Sequence, residues 1–551
     1  MAHLARRLID VAAPNGLPLA AVAAMLLLPT PWPGYLLSLA TLGYGCYRYR
    51  ADGLGQHLIG RILAIAAILI GLAMGSQGRV GYSWAIAGTL LIAIIAFEPR
   101  LVTALTVRKL ETANLPVNRS GLERWNNPRT AFALITVLSL AFIAASAFGW
   151  GQWAVTVACG LAAAGLAAGT VEKWLGRRRR AHSGDNDVLA AVKAHAPRFI
   201  VHFAAPEGSE YQLRLWLPYF DRLGDDYLIV LRDREFLPDF APRTAAPIVV
   251  APSITDLESM LVPTVKAVFY VNQSMHNAQC VRFAHLTHIQ LMHGDSDKPA
   301  SYNPISAMYD RIFVAGQAGI DRYHNHGIDI PTAKFRIVGH PQVAKVTVGP
   351  RAKAADTPTV ALYAPTWTGL SEDVNFCSLP MARDICAALI ARGVTVIVRP
   401  HPYTRRNPAA ARQLDAVERL LAADAEASGR EHKWGKTTSE TMSLIDCVNA
   451  ADVMVTDASG AASDWLYSEK PFAVTDPTGL GEKLAAELPL AKAAYVIRAD
   501  TANLDEVCAE LLDTDSLAAD RHKMKAYYLG GFPADAYEEA FFTAARDCYT
   551  E

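Results

Sequence analysis

The chain carries almost no net charge: 52 Lys and Arg stand against 53 Asp and Glu, leaving -1 at neutral pH. No overall field draws nucleic acid, and no nucleic-acid partner is expected. Paired cysteines are missing too. The eight, at Cys46, Cys159, Cys280, Cys377, Cys386, Cys447, Cys508 and Cys548, are scattered, and none form a C-x-x-C pair. That pattern excludes a disulfide framework or a zinc ribbon and fits a reduced compartment. Nothing resembling a cleavage site follows the first apolar run, so a removed signal peptide is not expected. What the sequence does have is length, 551 residues, too many for one domain. It also has an apolar excess, 52% hydrophobic overall, concentrated in the first third.

Apolar runs cover 17–29, 34–47, 58–75, 82–97, 130–149 and 152–170. The last four are long enough, or nearly so, to cross hydrocarbon as helices. The first two flank Thr30-Pro31-Trp32-Pro33 and read as two tilted spans or one hairpin. If the runs alternate, Arg6, Arg7, Arg48, Arg50, Arg100, Arg108, Lys109, Arg119, Arg124, Arg129, Lys173 and the arginines at 177–180 share one side, and Arg79 alone faces the other. The positive-inside rule then makes the N-terminus and everything after the last run cytoplasmic, in a multi-pass protein of the plasma membrane. No run carries a carboxylate or a lysine pair, and Arg61, near a cytoplasmic end, is expected to snorkel toward the interface. The arginines at 177–180 read first as a stop-transfer cluster, with contact to inner-leaflet lipid headgroups as a second role. The sequence thus divides into a helical membrane domain at 1–180 and two α/β domains at 185–345 and 356–551.

From Asp185 onward, strand-length apolar runs alternate with helical patterns. Strands are expected at 199–203, 227–231, 248–251, 267–271, 288–292, 312–315 and 335–338, and, after a polar linker at 347–357, at 359–363, 394–398, 453–456, 472–474 and 495–497. This alternation implies parallel sheets in two doubly wound, Rossmann-like domains facing each other across a cleft. Four polar clusters lie just past carboxyl ends of these strands, the edge where open α/β sheets bind ligands. His293 opens His293-Gly294-Asp295-Ser296-Asp297-Lys298; its imidazole can take a proton near neutral pH and Lys298 can neutralise a phosphate. Asp295 and Asp297 also read as a metal pair, although two acids in a loop are a weak signal. In Tyr363-Ala364-Pro365-Thr366-Trp367, Thr366 can bond a phosphate or base and Trp367 can pack beneath one, or simply fill a turn. In Arg399-Pro400-His401-Pro402-Tyr403 the prolines hold His401 stiffly, and with Arg399 it makes a cationic site for a diphosphate; a Pro-stiffened turn is the plain alternative. Asp457-Ala458-Ser459-Gly460 turns a strand into a helix. Its free amides suit a phosphate, Ser459 adds a hydroxyl and Gly460 allows close approach; an ordinary N-cap is the plain alternative. Gly339-His340-Pro341-Gln342 reads as an interdomain turn.

HGDSDK, GHPQ, YAPTW, RPHPY and ADVMVTDASGAASDWLYSEKPFAV occur in this order over about 199–474. The set resembles the CDP-glycerol glycerophosphotransferase family, the teichoic acid primases and polymerases. The resemblance implies a GT-B fold and transfer of glycerol-phosphate, or a related alditol-phosphate, from CDP-glycerol or another CDP-alditol. The acceptor it implies is a polyprenyl-linked glycan, in teichoic-acid or capsule-like polymer synthesis. It makes 185–345 the acceptor domain and 356–551 the nucleotide-donor domain, with the pyrophosphate near Ser459 and Gly460. His293 becomes the base on the acceptor hydroxyl, and His401 supports the transferred phosphate or the leaving CMP. Asp457 and Asp464 shape the nucleotide site, Arg399 and Lys298 supply charge, and no metal or other cofactor is implied. The chain departs from the family pattern at Asp295-Ser296, where Thr-Pro is usual, and at Ala458 and Gly460, where Tyr and Ser are usual. Familiar members attach peripherally, whereas this chain carries apolar runs of its own. A GT-B enzyme using a nucleotide sugar, and a nucleotide-binding scaffold for a polymer exporter, are the competing readings.

Overall fold

The computed structural model describes residues 16–52, 57–75, 81–105, 110–117, 128–352, 357–369 and 375–550. They fall into two compact units, one formed from 1–109 and 117–187, the other from 110–116 and 188–551. Arg6, Arg7, Arg79, Arg108, Lys109, Arg119 and Arg124, on which the expected orientation rests, lie outside the described residues, as do the side chains of Arg48, Arg50, Arg100, Arg129, Lys173 and the arginines at 177–180.

The first unit is helical: α1 Gly16–Leu27, α2 Trp32–Asp52, α3 Leu58–Gly75, α4 Tyr82–Leu105, α5 Pro128–Phe148 and the start of α6, Gln152–His195. Four runs were expected to be long enough, or nearly so, to cross a membrane. Among the described residues one helix, α3, is long and apolar enough to cross a membrane. Ile65, Ile68, Leu91, Ile95, Ile135 and Phe142 form the buried seam between the helices. Large apolar side chains also point outward, among them Leu19, Leu36, Ile59, Ile86, Val137 and Leu161. Trp32, Tyr82, Phe148, Trp150 and Trp153 are exposed at helix ends. Trp32 lies 6.0 Å from Phe148, and Ser83 bonds Gln152 at 3.0 Å, so these ends meet at one pole. Arg61 corrects the expectation of a snorkelling side chain. It is 5% exposed, ion-paired to the buried Glu98 and set 4.9 Å from the Phe132 ring. Glu98 lies one residue beyond the run at 82–97, which is why the run itself contains no carboxylate.

The second unit holds two sheets. The first contains β2 Phe199–Phe203, β3 Tyr227–Leu231, β4 Ile248–Val250, β5 Ala267–Tyr270, β6 Thr287–Gln290, β7 Arg311–Val314 and β8 Phe335–Ile337, all parallel. Its order is β4-β3-β2-β5-β6-β7-β8, with the antiparallel β1 Thr112–Ala113 on the β4 edge. β1 comes from the segment between α4 and α5, and Asn114 Nδ2 fastens it to the carbonyls of Ala241, Thr244 and Ala246 at 2.8–3.3 Å. β2 and β3 are buried along their whole length, as continuous apolar strands of a doubly covered parallel sheet must be. The second sheet, β9 Val360–Ala364, β10 Thr395–Val398, β11 Val453–Thr456, β12 Phe472–Asp476 and β13 Tyr495–Arg498, is parallel in the order β10-β9-β11-β12-β13. The order in which strands are added reverses between β2 and β5 in one sheet and between β9 and β11 in the other. Those switch points are where crevices open in doubly wound sheets. The domain expectation of 356–551 needs one correction: the last helix, Glu539–Thr550, returns to the first sheet, where Phe541, Phe542, Ala545 and Tyr549 join its core.

Removing one partner of the buried Arg61–Glu98 pair strands a charge. Arg61→Met is expected to cost about 3 kcal/mol in unfolding of the detergent-solubilised chain, and Arg61→Met with Glu98→Met to recover most of it. Equal losses in the single and double variants would show that the pair itself contributes nothing.

Candidate active site

The second switch point is closed by a carboxylate. Asp457, the first residue after β11, is fully buried. Its oxygens accept the Thr366 N–H at 2.9 and 3.0 Å, the Ser378 N–H at 3.0 Å and the Ser378 hydroxyl at 2.9 Å. The loop after β9 is therefore hung on the end of β11. Burial raises the Asp457 carboxyl to about 6, against the pull of Lys298 and of these donors. Lys298 arrives from the first half and donates to Thr366 Oγ1 at 2.6 Å; burial holds its ammonium below the usual range, Asp457 opposing. Lys298, Thr366 and Asp457 thus form one charged chain between the halves.

The two histidines are set by backbone. Met292, in the left-handed region at φ 58°, turns the chain after β6; its N–H bonds Gln290 and its carbonyl accepts from Trp216 Nε1. His293 then reaches back, its Nδ1 3.0 Å from the Val271 carbonyl. A carbonyl only accepts, so Nδ1 carries the proton and Nε2 keeps a free lone pair. His401 is the reverse case. Its own N–H bonds Pro365, and its Nδ1 accepts the Tyr403 N–H at 3.1 Å, so the proton sits on Nε2. Burial lowers His293 to about 4 and, with Lys298, His293 and Arg406 nearby, lowers His401 to about 3; both are neutral at pH 7. One ring presents an acceptor, the other a donor.

Tyr211, from the loop and helix after β2, stands between them. Its ring centroid is 5.6 Å from His293 and 6.0 Å from His401, edge-on to both. Burial pushes its hydroxyl up to about 12. Trp367 stacks on His401 at 5.9 Å and meets Tyr403 edge-on at 5.3 Å. Tyr403 also bonds Ser209, and Arg406 bonds the Glu207 carbonyl, so the second half grips the first at this point.

Other expected residues serve differently. Arg399 is turned to the carbonyls of Met442, at 2.6 Å, and Thr438, and holds the 437–442 segment rather than standing free beside His401. Asp464 is half-buried with His340 Nε2 3.4 Å away, so it ties the Gly339-His340 turn to the helix Gly460–Leu466. Ser459 does not cap that helix; its hydroxyl lies 3.2 Å from Thr456. Gly460 faces the first half, where a Cβ would stand 3.4 Å from the Asp295 carbonyl oxygen. Asp295 and Asp297 both pair with the buried Arg322, and Tyr528 donates to Asp297 at 2.6 Å. No cluster of three or more metal-ligating side chains occurs among the described residues. Sequence reasoning missed Tyr211, Arg322 and the His340–Asp464 contact. Only Tyr403, inside Arg399-Pro400-His401-Pro402-Tyr403, had a local signal.

Residues 349–478 match the family described as CDP-Glycerol:Poly(glycerophosphate) glycerophosphotransferase, and this segment is glycerophosphotransferase-like. Among solved structures, the wall teichoic acid polymerase TagF is 12% identical, over 69% of this chain and 95% of that one, with a TM-score of 0.41. MnaA from S. aureus with UDP is 13% identical, over 64% and 98%, at 0.40. A glycosyltransferase from Rickettsia africae is 9% identical, over 64% and 98%, also at 0.40. No curated protein sequence matches the chain.

Histidines kept neutral by folding lose stability in acid. The unfolded chain takes up protons near pH 6.5, while folded His293 and His401 hold out to about 4 and 3. Stability is therefore expected to fall as pH drops from about 6.5 toward 4, by up to about 1.4 kcal/mol per pH unit for each ring. Asp457 works in the other direction: its contribution is present below the unfolded carboxyl value and is lost as pH rises through about 6. Denaturant melts from pH 4 to 8 are expected to show a shallower acid slope in His293→Gln/His401→Gln than in the wild type. An unchanged slope would mean that neither ring resists protonation.

Proposed function

We propose that the protein transfers glycerol-phosphate, or a closely related alditol-phosphate, from CDP-glycerol or a similar CDP-alditol to a lipid-linked glycan acceptor. The family match over 349–478 supports the donor class. The observation that carries the chemistry is the pair of neutral histidines with opposite tautomers on either side of Tyr211.

His293 Nε2 takes the proton from the acceptor hydroxyl as that oxygen attacks the glycerol-bearing phosphorus. The bond from this phosphorus to the bridging oxygen breaks, and CMP leaves with the electron pair. His401 Nε2–H, held by the Tyr403 amide and braced by Trp367, donates to an oxygen of the diphosphate, where charge builds. Lys298 adds a positive charge from the first half, at Thr366. Phosphoryl transfer asks a protein chiefly for positioning and charge stabilisation; a base and a donor fixed by backbone partners, and a cation held at the Thr366 hydroxyl, supply both. Thr366, Trp367, Ser459 and Gly460 form the donor side, beside the Asp457 joint. Asp464 and Arg399 act on it indirectly, by holding neighbouring segments.

The helical unit anchors this chemistry at the cytoplasmic face of the plasma membrane. Its outward-facing Leu, Ile and Val and its pole of exposed Trp, Tyr and Phe are what a bilayer and its interface accommodate. A tethered transferase meets a lipid-linked acceptor at a high effective concentration.

Membranes bearing the full chain are expected to move radiolabel from CDP-glycerol into a lipid-extractable or polymer fraction. His293→Ala is expected to lower kcat by about 100- to 10,000-fold with little change in CDP-glycerol binding. Transfer from a nucleotide sugar in place of CDP-glycerol would overturn the donor class. Undiminished polymer in cells carrying His293→Ala would favour a scaffold.

A further inference from the structure

From His293 to Lys298 the chain lies in no helix or strand. This loop therefore depends on side-chain contacts to hold its two ends at a set separation. Asp295 and Asp297 supply them, and both turn to Arg322, on the helix Gln317–Asn325 that follows β7. Nη1 of Arg322 donates to Asp295 Oδ1. Nε donates to Asp297 Oδ1 at 2.9 Å, and Nη2 stands 2.8 Å from the same oxygen. The side chains of Arg322, Asp295 and Asp297 are 4%, 15% and 6% exposed. Burial pushes the Asp297 carboxyl up, with Arg322 and Tyr528 opposing. Its second oxygen accepts the Tyr528 hydroxyl at 2.6 Å. Tyr528 belongs to the core of the second sheet, and its hydroxyl accepts the Leu490 N–H at 3.0 Å. The helix that carries Arg322 is seated on the same segment. Tyr527 donates to Asp321 at 2.8 Å, and a Cβ at Gly316 would collide with the backbone of Tyr527 and Tyr528. The guanidinium is thus fixed from both halves before it meets the loop.

A planar guanidinium presents its donors in a rigid fork, so one Arg322 serves two carboxylates at once; an ammonium offers no such fixed geometry. Asp297 turns toward Arg322, while its neighbour Lys298 reaches Thr366 in the other half. We infer that Arg322 is a positioning residue for the transfer: by gathering Asp295 and Asp297 it fixes how far His293 stands from Lys298, and so where a proton leaves relative to where a phosphate is met. Arg322 touches no reacting atom in this assignment and acts through the loop. The effect on transfer rests on the reaction proposed above; the ordering of the loop rests on the contacts alone.

The test uses the full chain in neutral detergent, with hydrogen exchange and transfer kinetics as readouts. Arg322→Lys keeps the buried charge and removes the fork. Its amides over 293–301 are expected to exchange faster than in wild type, while β6 and β7 keep their protection. Its kcat with CDP-glycerol is expected to fall about 100-fold, the cost of a misplaced reacting group. Arg322→Lys combined with His293→Ala is expected to lose less than the product of the two single losses, because one residue acts through the other. A residue that only stabilised the fold would give that full product. Asp295→Asn, expected to lower kcat about tenfold, serves as the reading if Arg322→Lys fails to fold. Unchanged exchange over 293–301, undiminished kcat in the folded variants, or fully multiplicative losses would overturn the inference. Faster exchange over 293–301 in a chain that does not use CDP-glycerol would leave the ordering of the loop standing while the proposed reaction falls.

Discussion

The candidate site depends on one buried carboxylate. Asp457 ends β11 and collects the amide of Thr366, the amide of Ser378 and the hydroxyl of Ser378. Without those bonds, the loop after β9 has no reason to lie against the end of β11, and Thr366 is not presented to Lys298. The turn bearing His401 is fastened to the same loop, through its N–H to Pro365. An acid at a strand end thereby orders a loop, a cation from the other half and a histidine. Its role is to arrange the groups around a ligand, which a sequence motif alone does not distinguish from touching one.

The second constraint is the division of labour between two imidazoles. Their protonation is decided by which backbone atom each Nδ1 meets, a carbonyl at Val271 for His293 and an amide at Tyr403 for His401. Burial keeps both uncharged, so one is a ready proton acceptor and the other a ready donor in the same pH range. Tyr211 stands edge-on to both rings, between them.

Strand positions were legible because parallel strands buried on both faces read as short apolar runs: the run at 199–203 is β2 and that at 453–456 is β11. His293, Lys298, Thr366 and His401 were legible because strand ends are where such sheets bind ligands, and the structure gathers these four. Contacts between distant segments were not. Nothing near Asp464 in the sequence announces His340 as its partner, and nothing near Asp295 announces Arg322. Arg399 looked like a free cation because its acceptors are carbonyls, which no side-chain pattern reveals. Arg61 looked free because Glu98 is 37 residues away, on another helix. The last helix was assigned to the second half by proximity in sequence, whereas the apolar stripe of Phe541, Phe542 and Tyr549 finds its match in the first.

Strand β1 carries a lesson for dividing the protein. Its two residues come from between α4 and α5, yet they cover the β4 edge and bring Asn114 to three carbonyls. A fragment begun at the boundary suggested by composition, near residue 185, would keep His293, Lys298, His401 and Asp457 and lose this cover. Its β4 would then expose unpaired amides and carbonyls along a flat margin, an open template for pairing with a second molecule. Self-association of such a fragment would therefore reflect the missing strand rather than a native dimer, and a synthetic peptide spanning 110–117 would be the natural remedy.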